Sequence, residues 1–358
     1  MKILDKYIIK KFLGTFFYAI GLIISIAIIF DISEKLDDFI QKEAPIKAIA
    51  FDYYLNFIPY FVNLFSPLFI FISVVFFTSK MASNTEIVAI LASGISFKRL
   101  LRPYLIAATV LAILSFFLNN FIIPPANQTR LDFENTFIKN PYRNNEYNIH
   151  RQIGPGTFIY FESYNNERNL GYKFSLEKVV DGALSYKMMA DFIRWDSLKN
   201  KWQVENYFTR NIEGLDETIH KGLYLDTVFD FHPKDFGQRI SNIETMNYFE
   251  LNDFIEKEKF KGSENVVFYE IEQYQRMASP FATFILTIIG VSIASRKVKG
   301  GIGLHIGIGL LISFSYIMFL QVSYTFATNA GMSTLLAVWI PNIIYFFLGI
   351  YLLKIAPK

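Results

Sequence analysis

Long stretches without a single charged residue constrain this chain more than any other feature. Residues 12–30, 53–79, 103–129 and 277–295 carry no charge, and after Lys299 none returns until Lys354, a run of 54 residues with one histidine. Nineteen residues of helix cover about 28 Å, which matches a hydrocarbon core about 30 Å thick. Inside such a core every backbone N–H and C=O needs an internal partner, so these stretches are helices. The 54-residue run has room for two, joined by a turn at residues 328–334. Six membrane spans follow, three before residues 124–276 and three after. Gly303, Gly307 and Gly309 at the start of span five allow another helix to approach closely.

The charges between the spans orient them. Lys2, Lys6, Lys10 and Lys11 precede span one, and residues 31–52 beyond it hold six acids against three lysines. Basic clusters recur between spans two and three (Lys80, Lys98, Arg99, Arg102), after span four (Arg296, Lys297, Lys299) and after span six (Lys354, Lys358). The positive-inside rule then predicts cytoplasmic termini and an external central segment. No small-residue cleavage site follows the first apolar run, which reads as an uncleaved span. Charge also separates the two parts: residues 124–276 hold 19 basic and 24 acidic side chains, and the rest of the chain 16 and 8.

The central segment has a different periodicity. Tyr172, Phe174 and Leu176 alternate with Lys173, Ser175 and Glu177, and Leu223, Leu225, Thr227, Phe229 and Phe231 repeat the pattern. Short strands between Gly, Asn and Asp turns predict an antiparallel sandwich or half-open barrel. The stretch TFIYFESY, residues 157–164, is apolar on both faces, which suits a strand buried on both sides or one lining an apolar groove. After Thr245 a helical pattern returns, then a loop around Gly262, then span four.

The basic island at residues 80–102 holds a helix too short to span. Ser83 and Glu86 have capping-box spacing, so a helix is predicted over about residues 84–93. Ile87, Ile90 and Leu91 share one of its faces, and Gly94 is placed to end it in a left-handed turn. Two readings fit: a handle for a cytoplasmic partner, or a helix lying in the lipid headgroups with Glu86 only as a cap.

Chemistry is constrained mainly by exclusion. The chain has no cysteine, and KGGIG at residues 299–303 lacks the lysine and hydroxyl that a phosphate loop needs after its glycines. His150, His220, His232 and His305 lie far apart and predict no metal site; His305, near the inner end of span five, reads as interfacial. No acid or base occupies the middle of a span, which argues against proton-coupled transport and against a membrane hydrolase. No cofactor is predicted, and any energy must come from another protein. Lys35, Lys42 and Lys47, just outside span one, read either as a solvated loop or as contacts to the phosphates of an anionic lipid. Phe158, Tyr160 and Phe174 read as core or as the wall of a lipid path.

The opening LDKYIIKKF, the TEIVAILASG segment after span two, QYQRMASPF at the entry to span four and the three-plus-domain-plus-three order resemble the LptF/LptG family of lipopolysaccharide export permeases. The resemblance covers nearly the whole chain. It implies an α-helical membrane protein with six transmembrane helices and one jellyroll-like periplasmic domain inserted between helices three and four. The domains would be residues 1–123, 124–276 and 277–358. The family pattern E-[IL]-V-x-x-x-A-S-G falls on Glu86–Gly94, so the resemblance assigns Glu86, Ile87, Ile90, Leu91, Ser93 and Gly94 to coupling with a cytoplasmic ABC ATPase dimer. It further implies a second permease as partner, a periplasmic jellyroll bridge protein, lipopolysaccharide as substrate, lateral gates at spans one and five, and residence in the bacterial inner membrane. The alternative from another class is a membrane-anchored scaffold that binds a periplasmic protein and moves no lipid.

Overall fold

A computed structural model describes residues 2–139, 146–236, 240–298 and 301–356, so Lys299 and Lys358 lie outside the described residues. In chain order the helices are α1 (Ile3–Gln41), α2 (Ile46–Ser83), α3 (Glu86–Ala92), α4 (Phe97–Phe137), α5 (Tyr248–Phe260), α6 (Val266–Ala294), α7 (Gly301–Ala330) and α8 (Thr334–Ile355). Among the described residues α1, α2, α4, α6, α7 and α8 are long and apolar enough to cross a membrane, as the charge-free runs predict. The chain divides into two compact units: Met1–Ile138 with Ile243–Phe249 and Val267–Lys358, and Lys139–Asn242 with Glu250–Val266.

The first unit is the helical bundle. α1 buries Ile8, Phe12, Phe16, Ile20 and Ile24, one residue per turn, and leaves Phe17, Tyr18, Leu22 and Ile29 exposed on its other sides. A stripe that narrow is what the side of a bundle buries when the remaining faces are left for lipid or another subunit. Two hydroxyls of α6 bond back to their own turn, Thr287 to the Thr283 carbonyl at 2.7 Å and Ser292 to that of Ile288 at 2.7 Å. These hydroxyls therefore need no partner on another helix. At Gly290 of α6 a Cβ would lie 2.9 Å from Val74 Cγ1, so this position admits no larger side chain without a shift. Gly309 of α7 packs on Phe71 of α2 as expected, whereas Gly303 and Gly307 face open space. His305 is buried against α2, with Nδ1 2.7 Å from Ser79 Oγ.

The second unit holds six strands, β1 (Tyr147–Gly154), β2 (Thr157–Asn165), β3 (Leu170–Val180), β4 (Ala183–Asp196), β5 (Lys201–Glu213) and β6 (Asp216–Thr227). They form one antiparallel sheet in sequence order. One face carries the core: Ile159, Phe161, Phe174, Leu176, Met188 and Trp202, covered by Phe231 and Phe236 from the chain after β6. Trp202 donates its indole N–H to the Phe231 carbonyl at 3.0 Å, so its polar atom is satisfied while the ring is buried.

Strict alternation fails at one level of this sheet. Asn148, Lys173 and Asn206 have φ of 55°, 49° and 50°, and the register sets them side by side with Glu162, Asp191 and Leu223 on the intervening strands. A left-handed residue in alternate strands inverts the pleat. Gly171 and Phe174, three residues apart, therefore both meet the core, while Tyr172 turns away and pairs with Phe192, ring centroids 5.6 Å apart. The period-two reading placed Tyr172 with Phe174, and this inversion is why it does not hold there. For the same reason Leu223 is exposed.

Gly171 leaves no room for a side chain in the core, since a Cβ there would lie 2.5 Å from the Phe161 ring and 2.9 Å from Ile193 Cγ2. Gly171→Ala is expected to destabilise this unit by about 1–3 kcal/mol. Limited proteolysis of the full-length protein across a temperature series checks it, with cleavage between residues 146 and 236 appearing at lower temperature in the variant.

Candidate functional site

The short helix α3 sits at the end of the bundle where α1 begins. Its start is not the predicted capping box. α2 runs on to Ser83, and Thr85, with φ of 63° and no side-chain cap bond, is the N-cap residue. Glu86 is engaged elsewhere: Tyr7 donates its hydroxyl to Glu86 Oε2 at 3.1 Å, and Asn84 donates Nδ2 to Oε1 at 3.3 Å. The helix has seven residues, and Gly94 ends it with φ of 83°.

Ile87 is 1% exposed and packs with Ile8, Phe12, Phe97 and Leu100, while Ile90 and Leu91 are half-buried at the edge of the same cluster. Val88 and Ser93 are exposed, and Ser93 Oγ donates to the Ile90 carbonyl at 2.7 Å. The helix is thus seated on its own bundle through Ile87 and presents Val88 and its neighbours outward. Asp5, in the first turn of α1, takes both Arg99 Nη1 and Nη2 at 2.7 and 2.9 Å and the Lys2 backbone N–H at 3.0 Å. Bidentate Arg–carboxylate pairs fix orientation as well as distance. Tyr7, Asp5 and the pairing role of Arg99 escaped the sequence reading, which counted Arg99 only as a flanking charge.

At the far end of α1, Lys35 is paired with Asp31 one turn back and with the Tyr53 hydroxyl, and Tyr54 donates to Asp31 Oδ2 at 3.0 Å. Lys42 is the C-cap of α1, and Lys47 is exposed. The three lysines therefore differ in surroundings, and Lys35 already has a carboxylate partner.

A polar cluster joins α2, α4 and α6. Arg276 is 3% exposed and donates to Glu272 Oε1 at 2.8 Å, to the Met246 carbonyl at 2.7 Å and to the Ile243 carbonyl at 3.1 Å. Beside it lies a cavity of about 150 Å³ bounded by Asn63, Asn119, Glu244 and Gln275. Arg276 is the arginine of QYQRMASPF, and its work here is to hold the segment from Ile243 to Met246 against α6.

On the sheet, the face opposite the core is hollowed. A cleft of about 620 Å³ is lined by Phe158, Tyr160, Met189 and Phe208, with Lys173, Asp191, Glu177 and Lys187 among the residues around it. Phe158 is 41% exposed and Met189 39%. Phe174 differs from these, being 1% exposed with its ring in the core cluster. Lys173 donates to Asp191 at 2.8 Å, and this ammonium holds the Asp191 carboxyl below the usual carboxylate range. The two faces of TFIYFESY are thus separate: Ile159 and Phe161 build the core, and Phe158 and Tyr160 line the cleft.

Among the described residues no three His, Cys, Asp or Glu side chains gather closely enough to hold a metal ion. A bundle of six spanning helices with an inserted antiparallel sheet defines the class, a multi-pass membrane protein with a domain outside the bilayer. Over residues 6–355 the chain matches the family described as lipopolysaccharide export system permease LptF/LptG, and it belongs to that family of transporter membrane subunits. No curated protein matches it.

Arg276→Met removes the guanidinium donor from the Met246 and Ile243 carbonyls and from the Glu272 carboxylate, and of these Ile243 keeps the Met246 N–H at 3.2 Å. Breaking one side of a buried charge cluster costs about 3–5 kcal/mol, so this variant is expected to unfold well below the wild type in detergent, and Arg276→Lys only partly to restore it. A thermal-shift measurement on the purified protein decides this.

Proposed function

We propose that the chain extracts lipopolysaccharide from the inner membrane and passes it to a periplasmic bridge protein, driven by ATP hydrolysis in a separate cytoplasmic ATPase dimer and paired with a second LptF/LptG-type permease. Both termini and α3 face the cytoplasm and the sheet faces the periplasm, following the basic clusters at Lys80–Arg102 and after α6. The observation that carries the reading is the family match across residues 6–355. The chain's own chemistry is consistent with it: the permease supplies a path and a moving scaffold.

The cleft on the sheet supports the lipid step. Exposing an acyl chain to water costs about 0.8 kcal/mol per methylene, so a lipid crossing an aqueous space needs an apolar wall along its route. Phe158, Tyr160, Met189 and Phe208 provide one at a face that does not disturb the core. β6 is an edge strand and exposes Ile219, Leu223 and Tyr224, whereas on the other edge strand, β1, the Gln152 N–H already donates to the Lys261 carbonyl at 2.9 Å. A strand added at such an edge is held by main-chain hydrogen bonds. On the cytoplasmic side Glu86 and the exposed side of α3 are the contact for the ATPase.

A photoreactive residue in place of Phe158 is expected to crosslink lipopolysaccharide in living cells, whereas the same residue in place of Phe161, which is 0% exposed in the core, is expected not to. Adducts with protein alone at position 158 would favour a scaffold that binds a periplasmic partner.

A further inference from the structure

From the contacts of Glu86 we infer that Tyr7 is the positioning residue of the ATPase-coupling site, and that the first turns of α1 belong to that site together with α3. The inference rests on the reading of α3 as the docking helix. A glutamate on an exposed short helix samples several rotamers, and a partner that binds one of them must freeze the others out. Here each carboxylate oxygen already has one donor, Tyr7 Oη on Oε2 at 3.1 Å and Asn84 Nδ2 on Oε1 at 3.3 Å. A carboxylate offers about four acceptor positions, so two donors fix its orientation and leave acceptor positions for an incoming cation.

Tyr7 is itself held in place from behind. Asp5, two residues earlier, is locked to Arg99 at 2.7 and 2.9 Å, and Ile8, one residue later, is 0% exposed in the cluster that also seats Ile87. The phenol is 39% exposed, so it lies at the surface beside Glu86 and not beneath it. Asn84 reaches Glu86 from the adjoining turn, but Tyr7 reaches it across 79 residues of sequence. The Tyr7 hydroxyl therefore ties the docking helix to α1, which continues without interruption to Gln41 and the Asp31–Lys35 pair. A displacement of α3 by a bound ATPase is passed to α1 through this contact.

The test measures the affinity of the ATPase for the full chain, purified with its paired permease, in four forms: wild type, Tyr7→Phe, Glu86→Ala and the double variant. Losing one hydrogen bond to a charged, half-exposed group is expected to weaken binding about five- to tenfold in Tyr7→Phe, with the unfolding temperature unchanged. Glu86→Ala is expected to bind more weakly still, and the double variant no more weakly than Glu86→Ala, because the phenol then has nothing to position. Wild-type affinity in Tyr7→Phe alongside weak binding in Glu86→Ala overturns the inference and leaves the docking reading standing. Losses that add in the double variant, or a Tyr7→Phe loss matched by a lowered unfolding temperature, also overturn it by making the contact merely structural. Undiminished binding in Glu86→Ala overturns the docking reading itself.

Discussion

The hydrocarbon interior offers no water to an unpaired peptide group, and the rest of this structure depends on that constraint. It requires the apolar runs to be helices, places each sharp change of direction at the bundle ends, and sends the sheet outside. It also explains the internal bookkeeping of the bundle. Hydroxyls at Thr287 and Ser292 bond back to their own helices, and Gly290 and Gly309 let α6 and α7 pack on α2 through dispersion contacts. At one end of the bundle the charges of Asp5 and Arg99 are paired.

Much of this was legible in the sequence because it depends on local composition. The absence of charge over residues 12–30 is sufficient to place α1, although the helix continues to Gln41 through an acidic segment that the run alone does not include. Helices do not stop where the lipid does, so the charge-free window locates a span and underestimates its length. The turn at residues 328–334 was similarly readable, since Gly331 at φ of 68° lies between α7 and α8. Gly94 ended α3 for the same conformational reason.

What the sequence did not disclose depends on residues far apart in it. Ser83 and Glu86 have the spacing of a capping box, but Glu86 instead accepts from Tyr7, and no local rule anticipates a partner 79 positions away. The inverted level of the sheet arises from left-handed backbone at Asn148, Lys173 and Asn206, and a lysine at such a position gives no warning in a period-two pattern. That inversion separates the core from the cleft, and so decides that Phe158 lines a surface while Phe174 supports it from behind. Lys35 likewise reads as a free cation until Asp31, one turn earlier, is seen to pair with it.

The proposed function implies a division of labour, in which the bundle would receive force at the end that holds Glu86, Tyr7 and Arg99 and the hollow of the sheet would guide acyl chains. The direct test of that account is reconstitution of the chain with its paired permease and ATPase in liposomes loaded with lipopolysaccharide, followed by transfer to a soluble bridge protein. The account predicts transfer that requires both ATP and this chain. ATP hydrolysis without any lipid reaching the bridge would contradict it.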